Sequence, residues 1–228
     1  MKRFNYKEHC ASIIIILLLA GVSGFINAQT SSVDSSPQYL YPEFSSGIVK
    51  MKNGKNQKAI LNYNMVSEKM VYQQGDKLFD LIGTEMVDTV FLQNSCFIPI
   101  GEVFYEVVVV APISLFIQHQ GSIIPPGRPS GYGGTSQTSS ITSYSGINTA
   151  SGYHNLKLPS DYTVNVDPVY WVRKNNGIYN FRNERQFLKI FPEQADELKQ
   201  FIKKGRIKIA RREDLISLIN YCNELLEQ

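Results

Sequence analysis

The stretch FYEVVVVA, residues 104–111, carries apolar side chains on both sides of an extended backbone. Tyr105, Val107 and Val109 lie on one side and two further valines on the other, because successive side chains of a strand alternate. A strand with two apolar faces is buried on both, in the centre of a sheet or beneath helices. We therefore expect this strand to be central and covered.

Further short strands are predicted before and after this strand in the sequence. The pair Asn53-Gly54 favours a hairpin turn between the first two, although their four-residue spacing also allows a bulge or a longer loop. The predicted strands are 47–52, 57–64, 68–74, 77–82, 87–93, 96–100, 104–111 and 114–124. They form an antiparallel meander of about eight strands, which curls into a small barrel or folds into a sandwich.

A second hairpin and three helices follow towards the C-terminus. Residues 170–173 and 177–181 flank the turn sequence Asn-Asn-Gly. The apolar residues then recur at helical spacing, in three groups: Phe187, Ile190 and Phe191; Leu198, Phe201 and Ile202; and Leu215, Leu218, Ile219, Cys222 and Leu226. Pro192 is placed to open the second helix and Gly205 to end it. Amphipathic helices need an apolar surface to cover, so the predicted fold class is α+β, with the helices on the sheet.

The first 28 residues have the layout of a cleavable secretory signal. Basic residues precede an apolar run at 13–20, and the small residue Ala28 follows. A membrane anchor is the alternative, since apolar and small residues fill 11–28 and about 20 residues span a bilayer. We interpret the segment as cleaved, which predicts an exported protein, periplasmic or cell-surface associated, without a transmembrane segment in the mature chain.

The remaining chain divides by composition into four parts. They are a polar lead-in at 29–40, a β-rich core at 41–125, a Gly/Ser/Thr-rich insert at 126–154, and a C-terminal part at 155–228 with the hairpin and basic helices. The insert has no apolar period and cannot form a core of its own. We expect it to be a flexible surface loop.

The C-terminal part is basic, with 12 Lys and Arg against 8 Asp and Glu in residues 171–228. Such a patch can meet nucleic acid, an anionic membrane or an acidic protein. Export removes nucleic acid as a partner. The alternative is that these residues only solvate exposed helix faces.

No sequence pattern assigns a catalytic residue, a metal site or a cofactor. His119 and His154 lie outside any cluster with the spacing of metal ligands. The serines of the insert lack a recognisable base other than His154, and no helix follows the Gly-rich residues 131–134. Glu102 and Glu106 lie on one side of the central strand, about 13 Å apart, and are interpreted as turn and edge residues.

The second hairpin interleaves aromatic and basic residues, the types that concentrate in binding hot spots. The candidate binding residues are Tyr170, Trp171, Arg173, Tyr179, Phe181 and Arg182. The alternative is that the aromatic residues anchor the helices to the sheet. Cys96 and Cys222 each fall in an apolar pattern, which favours two buried thiols over the disulfide that export would permit.

Several segments together resemble a group of uncharacterised exported bacterial proteins. They are FSSGIVKMKNGKNQKAILNYNMVSEKM, GYGGTSQTSSITSYS leading to NLKLP, and YWVRK with FLKIFPEQADELKQFIKK. The resemblance extends over nearly all of the mature chain and implies export and one continuous domain. It implies no activity and no catalytic residue.

Three functional hypotheses are compatible with these observations. The first is a non-enzymatic envelope protein that binds another envelope protein or a surface polymer through the helices, the hairpin or the insert. The second is a small barrel that carries an apolar ligand. The third is a hydrolase that works through the insert and His154. The first is favoured because function must be argued from a site and no catalytic site is visible.

Overall fold

A computed structural model describes residues 36–126, 128–129, 135–136, 153–154, 158, 162–175 and 177–226. All of them belong to the compact unit Asp34–Gln228. The predicted signal at 1–28 and most of the insert at 126–154 lie outside the described residues.

The predicted meander is confirmed. Its strands are β1 (Ser45–Met51), β2 (Asn56–Asn64), β3 (Lys69–Gln74), β4 (Lys77–Asp80), β5 (Val87–Leu92), β6 (Ser95–Ile100), β7 (Val103–Val109) and β8 (Ser114–Gln118). The predicted strand at 114–124 is divided, because the chain leaves the sheet after Gln118 and resumes as β9 (Gly121–Ile124). The polar run QHQGS at 118–122 coincides with the break.

Six further strands are present among the described residues. They are β10 (Arg128–Pro129), β11 (Thr135–Ser136), β12 (Tyr153–His154), β13 (Thr163–Val166), β14 (Val169–Lys174) and β15 (Gly177–Phe181). The main sheet has eleven strands in the order β12-β4-β3-β2-β1-β5-β6-β7-β8-β14-β15, and each neighbouring pair is antiparallel. Strands β9 and β13 form a separate pair, as do β10 and β11. The sheet is not closed, which excludes the barrel that the sequence left open.

The sheet bends strongly along its length. The connection between β2 and β3 reaches the start of β7, where the Phe104 amide donates to the Glu68 carbonyl at 3.2 Å. It also reaches the chain after β8, where the Gly121 amide donates to the Met65 carbonyl at 2.8 Å. One face of this half of the sheet is therefore concave and closes over its own side chains.

Strand register shows which side chains share this face. Directly paired residues form one row across seven strands: Val49, Val90, Phe97, Glu106, Ile117, Tyr170 and Phe181. All seven are buried, and only Glu106 is polar. We call this side the covered face and the opposite side the open face.

Two apolar clusters lie on the covered face. The sheet cluster consists of Val49, Leu61, Tyr63, Met65, Met70, Val87, Val90, Leu92, Phe97 and Phe104. The helix cluster consists of Ile113, Leu115, Ile117, Tyr170, Val172, Phe181, Phe187, Phe191, Leu198, Ile202, Leu215, Leu218, Ile219 and Cys222. The helices thus cover the half of the sheet that contains β8, β14 and β15.

The three predicted helices are present as α1 (Glu184–Ile190), α2 (Ala195–Gly205) and α3 (Arg212–Leu226). The side chain of Asn183 accepts a hydrogen bond from the Gln186 amide and caps α1. Helix α2 begins at Ala195 rather than directly after Pro192, and it ends at Gly205 as predicted. Among the described residues, none of the helices has the length and apolarity needed to cross a membrane.

Burial differs from the prediction at the central strands. All five residues of β8 are buried, whereas only Phe104 and Glu106 are fully buried in β7. The open face of β7 is only partly shielded, so that strand is central without being covered on both sides. Cys96 and Cys222 are both free thiols, half-buried and buried respectively.

Candidate functional site

The buried carboxylate of Glu106 is the centre of a polar group between the two apolar clusters. Only 3 % of the residue is exposed. It accepts hydrogen bonds from Ser95 Oγ at 2.6 Å and from Arg212 Nη1 at 2.8 Å, and its second oxygen lies 2.8 Å from His119 Nε2. Three partners on two oxygens nearly satisfy a carboxylate, which is the condition for burying one.

Each partner reaches Glu106 because of its place in the fold. Ser95 begins β6 and shares the covered face with Phe97, which is paired with Glu106. His119 follows β8, and its ring meets the edge of Tyr63 at 5.9 Å between centroids. Arg212 is the first residue of α3. The group therefore joins three strands or their ends to the last helix.

The hydrogen bonds determine the charge state of the site. Burial alone raises the pKa of Glu106, but the hydrogen bonds with His119, Ser95 and Arg212 outweigh it and lower that pKa to about 2. Tyr41 lies next to the group, and burial raises the pKa of its hydroxyl while a hydrogen bond with Ser95 opposes the rise. Glu106 is therefore an anion at neutral pH.

This geometry corrects the sequence interpretation of Glu106. Glu102 is an exposed turn residue whose ion pair with Lys69 measures 3.2 Å, as expected. Glu106, in contrast, is a buried central residue, so its interpretation as an edge residue is wrong. The available signal was its alternation with Phe104, which places the carboxylate on an apolar face and demands partners there.

The Glu106 group lacks the arrangement of a nucleophilic site. In a Ser-His-carboxylate triad the histidine lies between the other two residues and takes the serine proton. Here the Ser95 hydroxyl donates to the carboxylate itself, so His119 does not activate it. The arrangement holds α3 against the sheet. The side chains of the insert serines and of His154 are not among those that the structure describes, and the hydrolase hypothesis stays a prediction.

The six candidate binding residues of the hairpin separate onto the two faces. Tyr170 and Phe181 are buried in the helix cluster. Trp171 and Arg173 lie on the open face, because they alternate with Tyr170 along β14. Tyr179 and Arg182 are exposed. The structure thus brings together Trp171 and Arg173 and separates them from the two buried aromatic residues.

Neighbouring side chains hold Trp171 and Arg173 in place. The indole Nε1 donates to Gln118 Oε1 at 2.8 Å, and the ring meets Tyr105 edge-on at 5.9 Å. The guanidinium of Arg173 lies over the ring of Phe116, 5.7 Å from its centroid. Its Nη2 donates to Ser114 Oγ at 3.0 Å.

The support for Trp171 extends to a carboxylate. Gln118 Nε2 donates to Glu68 Oε2 at 2.5 Å, and Gln120 Nε2 donates to Glu68 Oε1 at 3.0 Å. Arg182 Nη2 donates to the oxygen of Gln120 at 3.0 Å and also contacts Asp167. The orientation of Trp171 is therefore fixed by a connected network that crosses from β8 to β14.

The open face carries a row of apolar side chains that continues beyond the hairpin. Directly paired residues along it are Ile48, Phe91, Cys96, Val107, Phe116 and Trp171. Phe91 is 45 % exposed and Ile48 37 % exposed. The open face is therefore apolar along its middle, unlike the solvated face of a typical antiparallel sheet. It is exposed at Ile48 and Phe91, whereas Phe116 is buried.

Comparison with known proteins yields no relative: no family model, no curated protein and no solved structure matches this chain. Within the described residues, no group of three or more His, Cys, Asp or Glu side chains is placed to hold a metal ion. The site must therefore be interpreted from its own geometry.

Proposed function

We propose that this chain is an exported, non-enzymatic envelope protein that binds another protein through a hairpin surface. We define the hairpin surface as Tyr105, Phe116, Trp171, Arg173 and Ile178, which lie on the open face. Export rests on the signal-like first 28 residues. Binding rests on a single observation, the ordered Trp171 and the exposed Arg173 on a side of the sheet that none of the described helices covers.

Three physical arguments support a binding role for this surface. Trp, Tyr and Arg combine a large contact area with polar atoms and dominate the free energy of protein association. Their side chains are already ordered by hydrogen bonds and ring contacts, so less conformational entropy is lost when a partner binds. An apolar patch flanked by basic groups is also a feature of interaction sites.

The fold argues against a barrel that carries an apolar ligand. A carrier requires a closed barrel with an unfilled interior, whereas the sheet has two ends and its concave side is filled by the sheet cluster.

Site-specific photo-cross-linking in the source cells tests the proposal. A benzophenone amino acid at Ile178 places the probe on the hairpin surface, since Ile178 is paired with Arg173 and is 52 % exposed. The matched control carries the same probe at Ile82, which is 72 % exposed and lies outside the surface. We expect a reproducible protein adduct from position 178 alone, reduced by Trp171→Ala.

Two outcomes contradict the proposal. Identical adducts from positions 178 and 82 mean that the surface has no specific partner. A polysaccharide adduct in place of a protein means that the partner is a surface polymer. N-terminal sequencing of the same material tests export, for which we expect a mature chain that begins near Gln29.

A further inference from the structure

The two ends of the main sheet differ in their pairing. At one end, β12 is paired with β4, so that edge is covered by a strand from the insert. At the other end, β15 is paired with β14 only, among the described residues. Three consecutive residues of β15 are exposed: Ile178, Tyr179 and Asn180. An exposed edge with apolar side chains is a template for a further strand.

The hairpin geometry identifies the backbone groups that face outward. Lys174 is paired with Gly177 across a two-residue loop. In such a hairpin the pair beside the loop exchanges both hydrogen bonds, and every second pair along the ladder does the same. Tyr179 therefore bonds to β14, whereas the amide and carbonyl groups of Ile178 and Asn180 point away from it. These four groups form the free edge.

We propose that an extended acidic segment of a partner protein adds to β15 as a further strand. This inference rests on the proposed function and names the way in which the partner is held. The added strand would bond to the outward groups of Ile178 and Asn180. Its alternate side chains would lie beside the hairpin surface, so the backbone supplies affinity and the open face supplies selectivity.

Charge favours an acidic segment. Residues 167–189, which span the hairpin and α1, contain five Lys or Arg and two Asp or Glu. One of the two acids, Asp167, is already paired with Arg182. Of the other four cations, Arg173 and Lys174 lie at the loop end of β15, where Arg173 is over the ring of Phe116 and Lys174 over that of Phe191. Arg185 and Lys189 belong to α1 beyond the other end, where Glu184 is the second acid. Charges of opposite sign on an incoming strand would be attracted at each end.

The same charges argue against a second copy of this chain as the occupant. Antiparallel pairing of β15 with itself would place the loop end of each strand beside the α1 end of its partner. Cations would then face cations at both ends, which opposes association. A heterologous acidic strand avoids this repulsion.

Titration of the intact chain with defined peptides tests the inference. The probe is a soluble peptide of alternating Glu and Val, and its matched control replaces every Glu by Lys. Binding is measured by Trp171 fluorescence, because Trp171 is paired with Asn180 and is the single tryptophan of the chain. Amide hydrogen exchange then reports which backbone groups are protected.

We expect the Glu peptide to protect the amides of Ile178 and Asn180 and to leave Tyr179 unchanged. We also expect it to bind at least about tenfold more tightly than the Lys peptide. Ile178→Pro removes one outward amide without removing a bond to β14, and proline is tolerated at such edge positions. That variant should lose peptide binding, whereas Ile178→Val, which keeps the amide, should retain it.

Three results overturn strand addition: no amide protection by the Glu peptide, equal binding of the Lys peptide, or unchanged binding by Ile178→Pro. Asn180→Pro provides the same test at the second outward amide if Ile178→Pro does not fold. If peptide binding fails while the cross-link from position 178 persists, strand addition is wrong and the hairpin surface still binds a partner. If both fail, the proposed function is wrong as well.

Discussion

The sheet cluster and the helix cluster lie on the same face of one sheet but are built in different ways. The sheet cluster forms because the sheet bends until β2 and β3 approach β7, so its contacts join strands that are distant in the sheet. The helix cluster forms because α1, α2 and α3 each present an apolar stripe to β8, β14 and β15. Bending supplies the first core and helix docking supplies the second.

Glu106 marks the boundary between these two cores, and the difference between them explains its role. Its partner Ser95 belongs to the strands of the sheet cluster, whereas Arg212 belongs to a helix of the other. A single buried anion thus connects two separate apolar clusters. We expect the two cores to unfold together while this connection is intact.

Removal of the Glu106 carboxylate should cause the largest loss in the free energy of unfolding. Glu106→Ala removes the acceptor from His119, which is mostly buried, and from Arg212, which is 40 % exposed and can turn to water. The loss should therefore lie near the lower end of the about 3–5 kcal/mol that breaking a buried ion pair costs. The free energy of unfolding is measured in urea by Trp171 fluorescence and by circular dichroism. Glu102→Ala is the matched control, because this exposed carboxylate has one surface ion pair and should change stability by less than about 1 kcal/mol. Equal losses in both variants would contradict the prediction.

Acid should lower the stability of the protein by protonating Glu106. The pKa of Glu106 is about 2 in the folded protein against 4.5 for an ordinary glutamate, so between these values the unfolded state binds more protons. Stability from this group is complete above pH 4.5, falls as the pH is lowered, and is absent below about 2. The difference between the two pKa values corresponds to about 3 kcal/mol in the free energy of unfolding. Urea unfolding at pH 5 and pH 3 should show about 2 kcal/mol of this loss, because the carboxylate is still mostly ionised in the folded protein at pH 3. Glu106→Gln should show a shallower dependence on pH.

A smaller effect is expected at the helix cluster alone. The side chain of Asn223 on α3 accepts a hydrogen bond from the Ile113 amide at 2.8 Å and donates to the Ile113 carbonyl at 3.0 Å. Asn223→Ala leaves both buried backbone groups unpaired, which costs about 1–3 kcal/mol. Asn220→Ala, at an exposed position on the same helix, should change stability by at most about 0.5 kcal/mol. A similar loss in the control would show that helix propensity, not the bridge, is responsible.

The smallest expected effect concerns the reactivity of two thiols, Cys96 on the open face and Cys222 in the helix cluster. Burial raises the pKa of both thiols, that of Cys222 to about 12, and Cys96 is only half-buried. A disulfide reagent should therefore modify Cys96 in the native protein and Cys222 only after unfolding. Peptide mass spectrometry identifies the modified residue, with no change in stability expected before modification. Equal rates would mean that the helix cluster opens frequently.

Local patterns account for most of what the sequence predicted. Alternation identified the strands from β1 to β7, and the 3.6-residue period identified all three helices, because both patterns depend only on neighbours in the chain. The division between β8 and β9 was missed although the polar run QHQGS at 118–122 interrupts the apolar residues and was the available signal for it. Strand order was also beyond the sequence, since it depends on the pairing of β8 with β14 across the insert.

The Glu106 group was missed for a related reason. Ser95, His119 and Arg212 have no characteristic spacing, since each comes from a different element and only the bend and helix docking bring them together. The hairpin was recognised from composition, but register was needed to divide its residues. Trp171 and Arg173 lie on the open face, and Tyr170 and Phe181 lie in the core.

The pairing of Gln118 with Val169 has a consequence for how the chain folds. Strands β1 to β8 are each paired with a neighbour close in sequence, except where the meander doubles back between β1 and β5. The β8–β14 ladder, in contrast, must close a loop that contains the whole insert. Loop-closure entropy grows only logarithmically, so doubling such a loop costs about 0.6 kcal/mol. A change in the length of the insert should therefore cost the β8–β14 ladder little free energy, and with it the helix cluster that packs on β8, β14 and β15.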